Sequence, residues 1–398
     1  MQARNLSILV VCQLISTTGS IVMVALGGII GTALASTKGL ATLPLSMMVV
    51  SVAATTVPAT MLMQKLGRRK GFAVASLTAA MAVLVAVVAL KESSFFLFIV
   101  ATMMFGVNMA FTQQYRYAAA ESVRPEYVPR AVSFVLIGSI GGAFIGPILA
   151  TEGQYWLASI PFAGTMFALA ALFLLQSALF LGLAAAQEHA EYVRPQSERK
   201  LGDIVGQPVF LVAVLGGTVG YGLMTLVMTA TPISMHINDG FALKETMSVI
   251  RAHVLGMYVP SLAASFLIEK IGVSRLMLVG ALGLLATSII GLQGHTFMHY
   301  WWALVLLGIG WNFLYVGGTT MLTYTYSMAE RFRAQAVNEF LVFGTSATAS
   351  LLAGTVMYFF GWNTLMLIPI PILIAICAAL ILVRRDPLLH RTAAIEKV

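Results

Sequence analysis

The sequence predicts an all-α membrane protein of twelve transmembrane helices arranged as two six-helix lobes. Three observations lead there: an apolarity unsuited to a soluble surface, apolar runs of crossing length along the whole chain, and an internal repeat that halves it. Of 398 residues, 59% are hydrophobic and only 10% charged, and the mean hydropathy is +0.91. Such a chain has too few polar side chains to cover itself in water. It contains no nucleotide-binding loop, no catalytic triad and no extramembrane segment long enough to form a soluble domain, so an enzyme is not expected.

Crossing ~30 Å of hydrocarbon takes about 20 apolar residues. Runs of that kind fall at 6–31, 40–63, 72–90, 95–117, 131–150 and 156–185, and then at 208–236, 248–268, 276–292, 298–326, 338–360 and 364–383. The first, with Arg4 before it and "ALAS" at 33–36 after it, imitates a cleavable signal peptide. Its length exceeds a signal's apolar region, and its loss would leave one half a span short, so it is expected to stay as the first helix. Basic residues set the orientation. With both termini in the cytoplasm, nineteen of them lie inside, including Lys65, Arg68, Arg69 and Lys70, while only Lys38, Lys91, Lys244 and Arg251 lie outside. The net charge of +8 is therefore a topology signal and requires no nucleic acid. Cys12 and Cys377 both sit inside spans and imply no disulfide framework.

The repeat is carried by three anchors. Gly67 in "KLGRRKGF" answers Gly272 in "KIGVSRLM" at an offset of 205, Asn108 answers Asn312 at 204, and Val132 answers Val337 at 205. Duplication divides the chain into a lobe at 1–185, a cytoplasmic linker at 186–207 and a lobe at 208–398. Two such lobes suit an alternating-access transporter, with its substrate held near the membrane midplane.

On these residues the chain resembles the major facilitator superfamily along essentially its whole length. The loop after the second span is similar to that family's signature, which carries a Gly, an Asp and then Gly-Arg-Arg. Gly67, Arg68 and Arg69 match, whereas Gln64 stands at the Asp position and Thr60 at the first Gly. In the second half the acid survives as Glu269, three residues before Gly272. The resemblance implies a gating role for Gly67, Arg68, Arg69 and Glu269.

The cargo is narrowed by charge. Every Asp and Glu falls in a loop or near a span end, so no carboxylate relay is visible, and no buried Lys or Arg offers a clamp for an anion. Neutral donors remain. Met224 and Met228 in the seventh span, like His253 and Met257 in the eighth, are four residues apart and share a helix face. At ~1.5 Å per residue, antiparallel neighbours would bring all four to similar depth. Thioethers with one imidazole suit a soft ion, Cu(I) above all, rather than zinc or the hard cations. Met-x-x-x-Met followed by His-x-x-x-Met resembles the CcoA-like copper importers. That resemblance implies copper as transported substrate with no resident cofactor, import across the bacterial inner membrane for haem-copper oxidase assembly, and copper chaperones of cytoplasm or membrane as partners beside the bilayer lipid.

Two other readings stay open. A close branch of that family is associated with riboflavin, and an organic solute or a drug-type export substrate would find polar and aromatic groups in "NMAFTQQYRY" and "GWNFLYVGGTTMLTYTY", in Gln13, Thr17, Thr18 and Ser20, and in Tyr221. Asn108 and Asn312 are expected either to touch substrate or to hydrogen-bond between helices. The last reading is a receptor or assembly factor that moves nothing.

Overall fold

The computed structural model describes residues 2–122, 128–157, 160–184, 199–327 and 330–389; within these ranges the side chains at 2–3, 38, 60, 64, 117, 120–121, 128–130, 132–133, 265 and 331–332 are excepted. The expected linker as far as residue 198, and the side chains of Thr60, Gln64 and Val132, lie outside the described residues. The described residues hold fourteen α-helices. They are α1 (Gln2–Leu34), α2 (Leu43–Lys91), α3 (Phe95–Thr112), α4 (Tyr115–Glu121), α5 (Val128–Gly153), α6 (Ala163–Leu181) and α7 (Leu201–Val205), then α8 (Pro208–Pro232), α9 (Leu243–Tyr258), α10 (Ser261–Ile271), α11 (Val273–Gln293), α12 (Phe297–Thr323), α13 (Arg331–Leu367) and α14 (Pro369–Val383). A π-helical turn, Ile233–Asn238, finishes α8.

Ten helices among the described residues are long and apolar enough to cross a membrane, against twelve runs in the sequence, and two places explain the difference. The 248–268 run is interrupted between α9 and α10 at Pro260, which has no N–H to donate, leaving pieces of 16 and 11 residues. The last two runs join into one apolar stretch of 51 residues, 333–383. At ~1.5 Å per residue that is more than twice the bilayer core, and it bends at Gly361, φ 75°.

The 49 residues of α2 are likewise two spans, divided at Gly67 with φ 77° and ψ 159°. Gly272, between α10 and α11, has φ 86° and ψ 152°. The repeated glycine thus recurs as a repeated backbone conformation, one that is open almost only to glycine. A β-carbon at Gly67 would meet nothing within 4 Å, so the dihedral and not the space demands glycine. Gly67→Ala is expected to cost about 1–3 kcal/mol, read as a lower thermal midpoint in detergent. Gly202→Ala, equally unobstructed but without a positive φ, should leave the midpoint in place.

The chain forms two compact units. One comprises Met1–His189, Thr229–Arg251 and Ser350–Phe359. In it α1 runs along a glycine stripe of α5 at every fourth residue. A β-carbon on Gly138 would lie 2.3 Å from the Val10 carbonyl oxygen, and on Gly142 2.7 Å from the Thr17 side chain, the close approach through which small residues associate helices in lipid. Phe72 packs against Tyr115 at 4.9 Å and Phe180 at 5.0 Å. The Ser46 and Ser350 hydroxyls, both buried, hydrogen-bond at 3.1 Å.

The other unit comprises Ala190–Met228, Ala252–Ala349 and Phe360–Val398. Its edge is tied by Arg199. The Nε and Nη2 atoms donate to the two Glu330 oxygens at 2.9 and 2.8 Å, Nη2 also reaches the Thr325 carbonyl at 2.8 Å, and the Arg199 backbone N–H adds 2.9 Å to Glu330. The guanidinium, with the Ser327 N–H, holds the Glu330 carboxyl well below the usual carboxylate range. A depressed pKa means the tie is complete above the unfolded carboxyl's value of about 4.3 and is lost as pH falls through the lower folded value. The difference in thermal midpoint between wild type and Glu330→Gln should stay constant from neutral pH down to about 5 and shrink below about 4. Arg199 is 47% exposed, so salt screens the pair and the difference is small.

Candidate functional site

In the first unit, one face of α1 carries an uncharged network. The Gln176 side chain of α6 donates to the Cys12 carbonyl at 2.8 Å, Ser16 Oγ at 2.8 Å and Tyr115 OH at 3.2 Å. Gln13 donates to Ser139 Oγ of α5 at 2.9 Å and to Thr17 Oγ1 at 3.3 Å. Asn108, 1% exposed, leaves its amide nitrogen without a partner, as do the Thr18 hydroxyl and the Gln176 amide oxygen. Of the α1 residues singled out in the sequence, Gln13 and Thr17 belong to this network, while Gln176 and Ser139 were missed. Their signal is tertiary, since Gln176 and Cys12 stand 164 residues apart.

In the second unit, four rings from three helices meet. Trp311 and Tyr315, one turn apart on α12, stack at 5.2 Å and 10°. Tyr221 of α8 sets its edge against Trp311 at 5.1 Å, Tyr315 at 5.2 Å and Phe343 of α13 at 5.8 Å. Trp311 is buried, whereas the other three are half-buried. Offset and edge-on arrangements are those that aromatic quadrupoles favour.

The soft-donor residues also belong to this unit. His253, 1% exposed, donates from Nδ1 to the Leu304 carbonyl of α12 at 2.9 Å, and its Nε2 is buried without a partner. It lies in a tight seam between α9 and α12, where a β-carbon on Gly308 would come within 2.4 Å of the His253 carbonyl oxygen and one on Gly256 within 2.8 Å of the Val305 oxygen. Met228 is buried; Met224 and Met257 are half-buried. The Met257 carbonyl accepts a hydrogen bond from Asn312 Nδ2 at 2.8 Å, and the same amide donates to Ser261. Asn312 thus bonds to both sides of the break that Pro260 makes, the interhelical hydrogen bond expected as one of its two roles.

Of the residues expected to gate, Gly67 forms the bend of α2, and Arg68 Nη1 donates to the Gln114 carbonyl at 3.4 Å. Arg69 and Glu269 are exposed.

With this geometry in view, the sequence profile of the Major Facilitator Superfamily matches residues 7–250 and 228–398. The chain belongs to the major facilitator superfamily. Among superfamily relatives, the riboflavin transporter RfnT of Brucella anthropi is 34% identical over 380 residues, which are 95% of each chain. The MFS-type transporter YdeG of Bacillus subtilis is 26% identical, covering 89% of this chain and 86% of its own. A bacterial homologue of the human lysosomal transporter Spinster superposes with a TM-score of 0.71 at 11% identity, covering 98% of both chains. The nucleoside transporter NupG gives 0.66 at 15% identity, covering 96% of this chain and 98% of its own. The structural matches bear on the fold alone. RfnT overturns the expected copper cargo: the relative that shares the superfamily architecture and a third of all residues carries a flavin. The copper importer expectation is corrected accordingly, together with oxidase assembly, and Met224, Met228, His253 and Met257 keep only the structural description given above.

Proposed function

We propose that this superfamily member is a secondary-active transporter of a small, uncharged organic solute, with riboflavin as the first candidate. The observation that carries the reading is the 34% identity to RfnT across 95% of both chains. The character of the described helices agrees with it. Most described carboxylates cluster at helix ends or in loops; within the candidate spans stand Glu152, at the end of α5, and Glu339, early in the 37-residue α13. A charged substrate would need a charged partner in a medium where unpaired charge costs several kcal/mol. The rings around Tyr221 suit a solute that carries a flat ring. The distribution of basic residues favours both termini in the cytoplasm, and the bacterial transporters this chain is similar to favour the inner membrane. Asn108, Asn312 and Tyr221 remain the substrate-contact candidates of this reading, Asn312 through its amide oxygen because its nitrogen is spent on Met257 and Ser261, with the bend at Gly67, Arg68 and Arg69 and the end of α10 at Glu269 as its gating elements.

Expression in a bacterium that cannot make riboflavin tests it. Growth on low external riboflavin should be restored by the full chain and not by empty vector. Growth that stays vector-like, with the protein present in the membrane, would refute the riboflavin assignment.

A further inference from the structure

The ring cluster has a buried root and an open rim. We infer that Tyr221, Trp311, Tyr315 and Phe343 form a subsite for a planar heteroaromatic ring, with the Trp311 indole N–H as donor to a ring carbonyl or ring nitrogen. The inference rests on the organic-solute reading for its cargo but makes its own claim about residues.

Three observations support it. Burial alone does not account for the cluster, because Tyr221, Tyr315 and Phe343 keep part of their surface open while only Trp311 is enclosed, at 4% exposure. The stacked Trp311–Tyr315 pair, 10° from parallel, offers a platform that another flat ring extends, since stacking on aromatic side chains is indifferent to the detail of the ring. The indole Nε1 is buried with no hydrogen-bond partner. A buried Trp N–H ordinarily finds an acceptor, so this donor is the unmet group that a ligand would satisfy. Because Nε1 is buried, a bound ring has to part neighbouring side chains to reach it.

The surroundings set the ligand's class. Beside the cluster stand Thr345, 3.0 Å from where a β-carbon on Gly222 would lie, the Thr225 and Ser346 hydroxyls paired at 2.7 Å, and Asn338, 3.9 Å from a β-carbon position at Gly217, one turn from Tyr221; the carboxylate of Glu339 stands one turn before Phe343 on α13 and repels an anion. A neutral ring with carbonyl or imine acceptors fits there, and a phosphorylated one does not.

Equilibrium dialysis of the purified full-length chain in lipid nanodiscs tests the assignment, using lumichrome, the dimethylalloxazine left when riboflavin loses its side chain, and ribitol, the polyol of that side chain, as probes. Wild type should bind lumichrome and show no binding of ribitol. Tyr315→Leu should weaken lumichrome binding by about tenfold or more, and Tyr315→Phe should restore it. Trp311→Phe, which keeps a ring but removes the N–H together with part of the bicycle, should weaken it by about fivefold to tenfold and, through the void left at a buried position, lower the thermal midpoint without preventing folding. Lumichrome binding that is absent in wild type, or equal in wild type and folded Tyr315→Leu and Trp311→Phe, would overturn the subsite. Riboflavin uptake by wild type decides the transport reading separately: uptake with Trp311-independent binding sinks the subsite alone, and Trp311-dependent binding without uptake sinks the transport reading alone.

Discussion

Gly308→Leu is expected to abolish most of the folded yield. A β-carbon at this position would sit 2.4 Å from the His253 carbonyl oxygen and 2.9 Å from the Met257 nitrogen. Both are backbone atoms of α9, so no side chain can swing aside, and α9 and α12 must separate along the seam. Overpacking that side chains can absorb costs about 1–3 kcal/mol. Prising two helices apart exceeds that, and it removes contacts that in lipid come from packing rather than from a hydrophobic drive. Size-exclusion chromatography and thermal midpoint in detergent provide the check. Gly344→Leu, where an added β-carbon meets nothing within 4 Å, is the matched control and should behave as wild type. A Gly308→Leu protein that melts with wild type would show that the helices do not cross this closely.

His253→Ala is expected to destabilise the protein by about 2–4 kcal/mol, combining a lost buried hydrogen bond with a void. The imidazole is 1% exposed and bonded to the Leu304 carbonyl, so its work is to join α9 to α12 where Gly256 and Gly308 let them touch. Folded His253→Ala protein should therefore take up solute with an unchanged KM. A wild-type midpoint combined with a raised KM would instead assign the ring to transport. The same measurement separates the structural role from any role as a ligand, because a ligand's loss appears in uptake before it appears in melting.

Much of the fold was legible because the bilayer imposes a simple rule: enough apolar residues in a row must cross. The bends at Gly67 and Gly272 were visible as a repeated glycine, and their shared dihedrals give the physical reason for the repetition. Asn312 was legible as a group that must bond something in a membrane, although only the structure shows that its partners are the Met257 carbonyl and Ser261. The donor set at Met224, Met228, His253 and Met257 shows where such reading stops. Spacing by four says which residues share a helix face; it does not say what that face meets. For His253 the answer is the backbone of α12 across a glycine seam. Methionine adds little discrimination, since its flexible thioether fills gaps between helices throughout cores. Trp311 and Tyr315 carry the same four-residue spacing, and there the structure brings rings from α8 and α13 to join them. Partners so distant in sequence leave no local trace, which is also why Gln176 went unread.

The proposed cargo is an uncharged organic solute. Counterflow in liposomes tests it most directly: vesicles containing the full-length chain and loaded with unlabelled riboflavin should draw in labelled riboflavin transiently above the external level, with added copper making no difference and protein-free vesicles taking up none. Vesicles that exchange no riboflavin yet admit copper in a protein-dependent manner would contradict it.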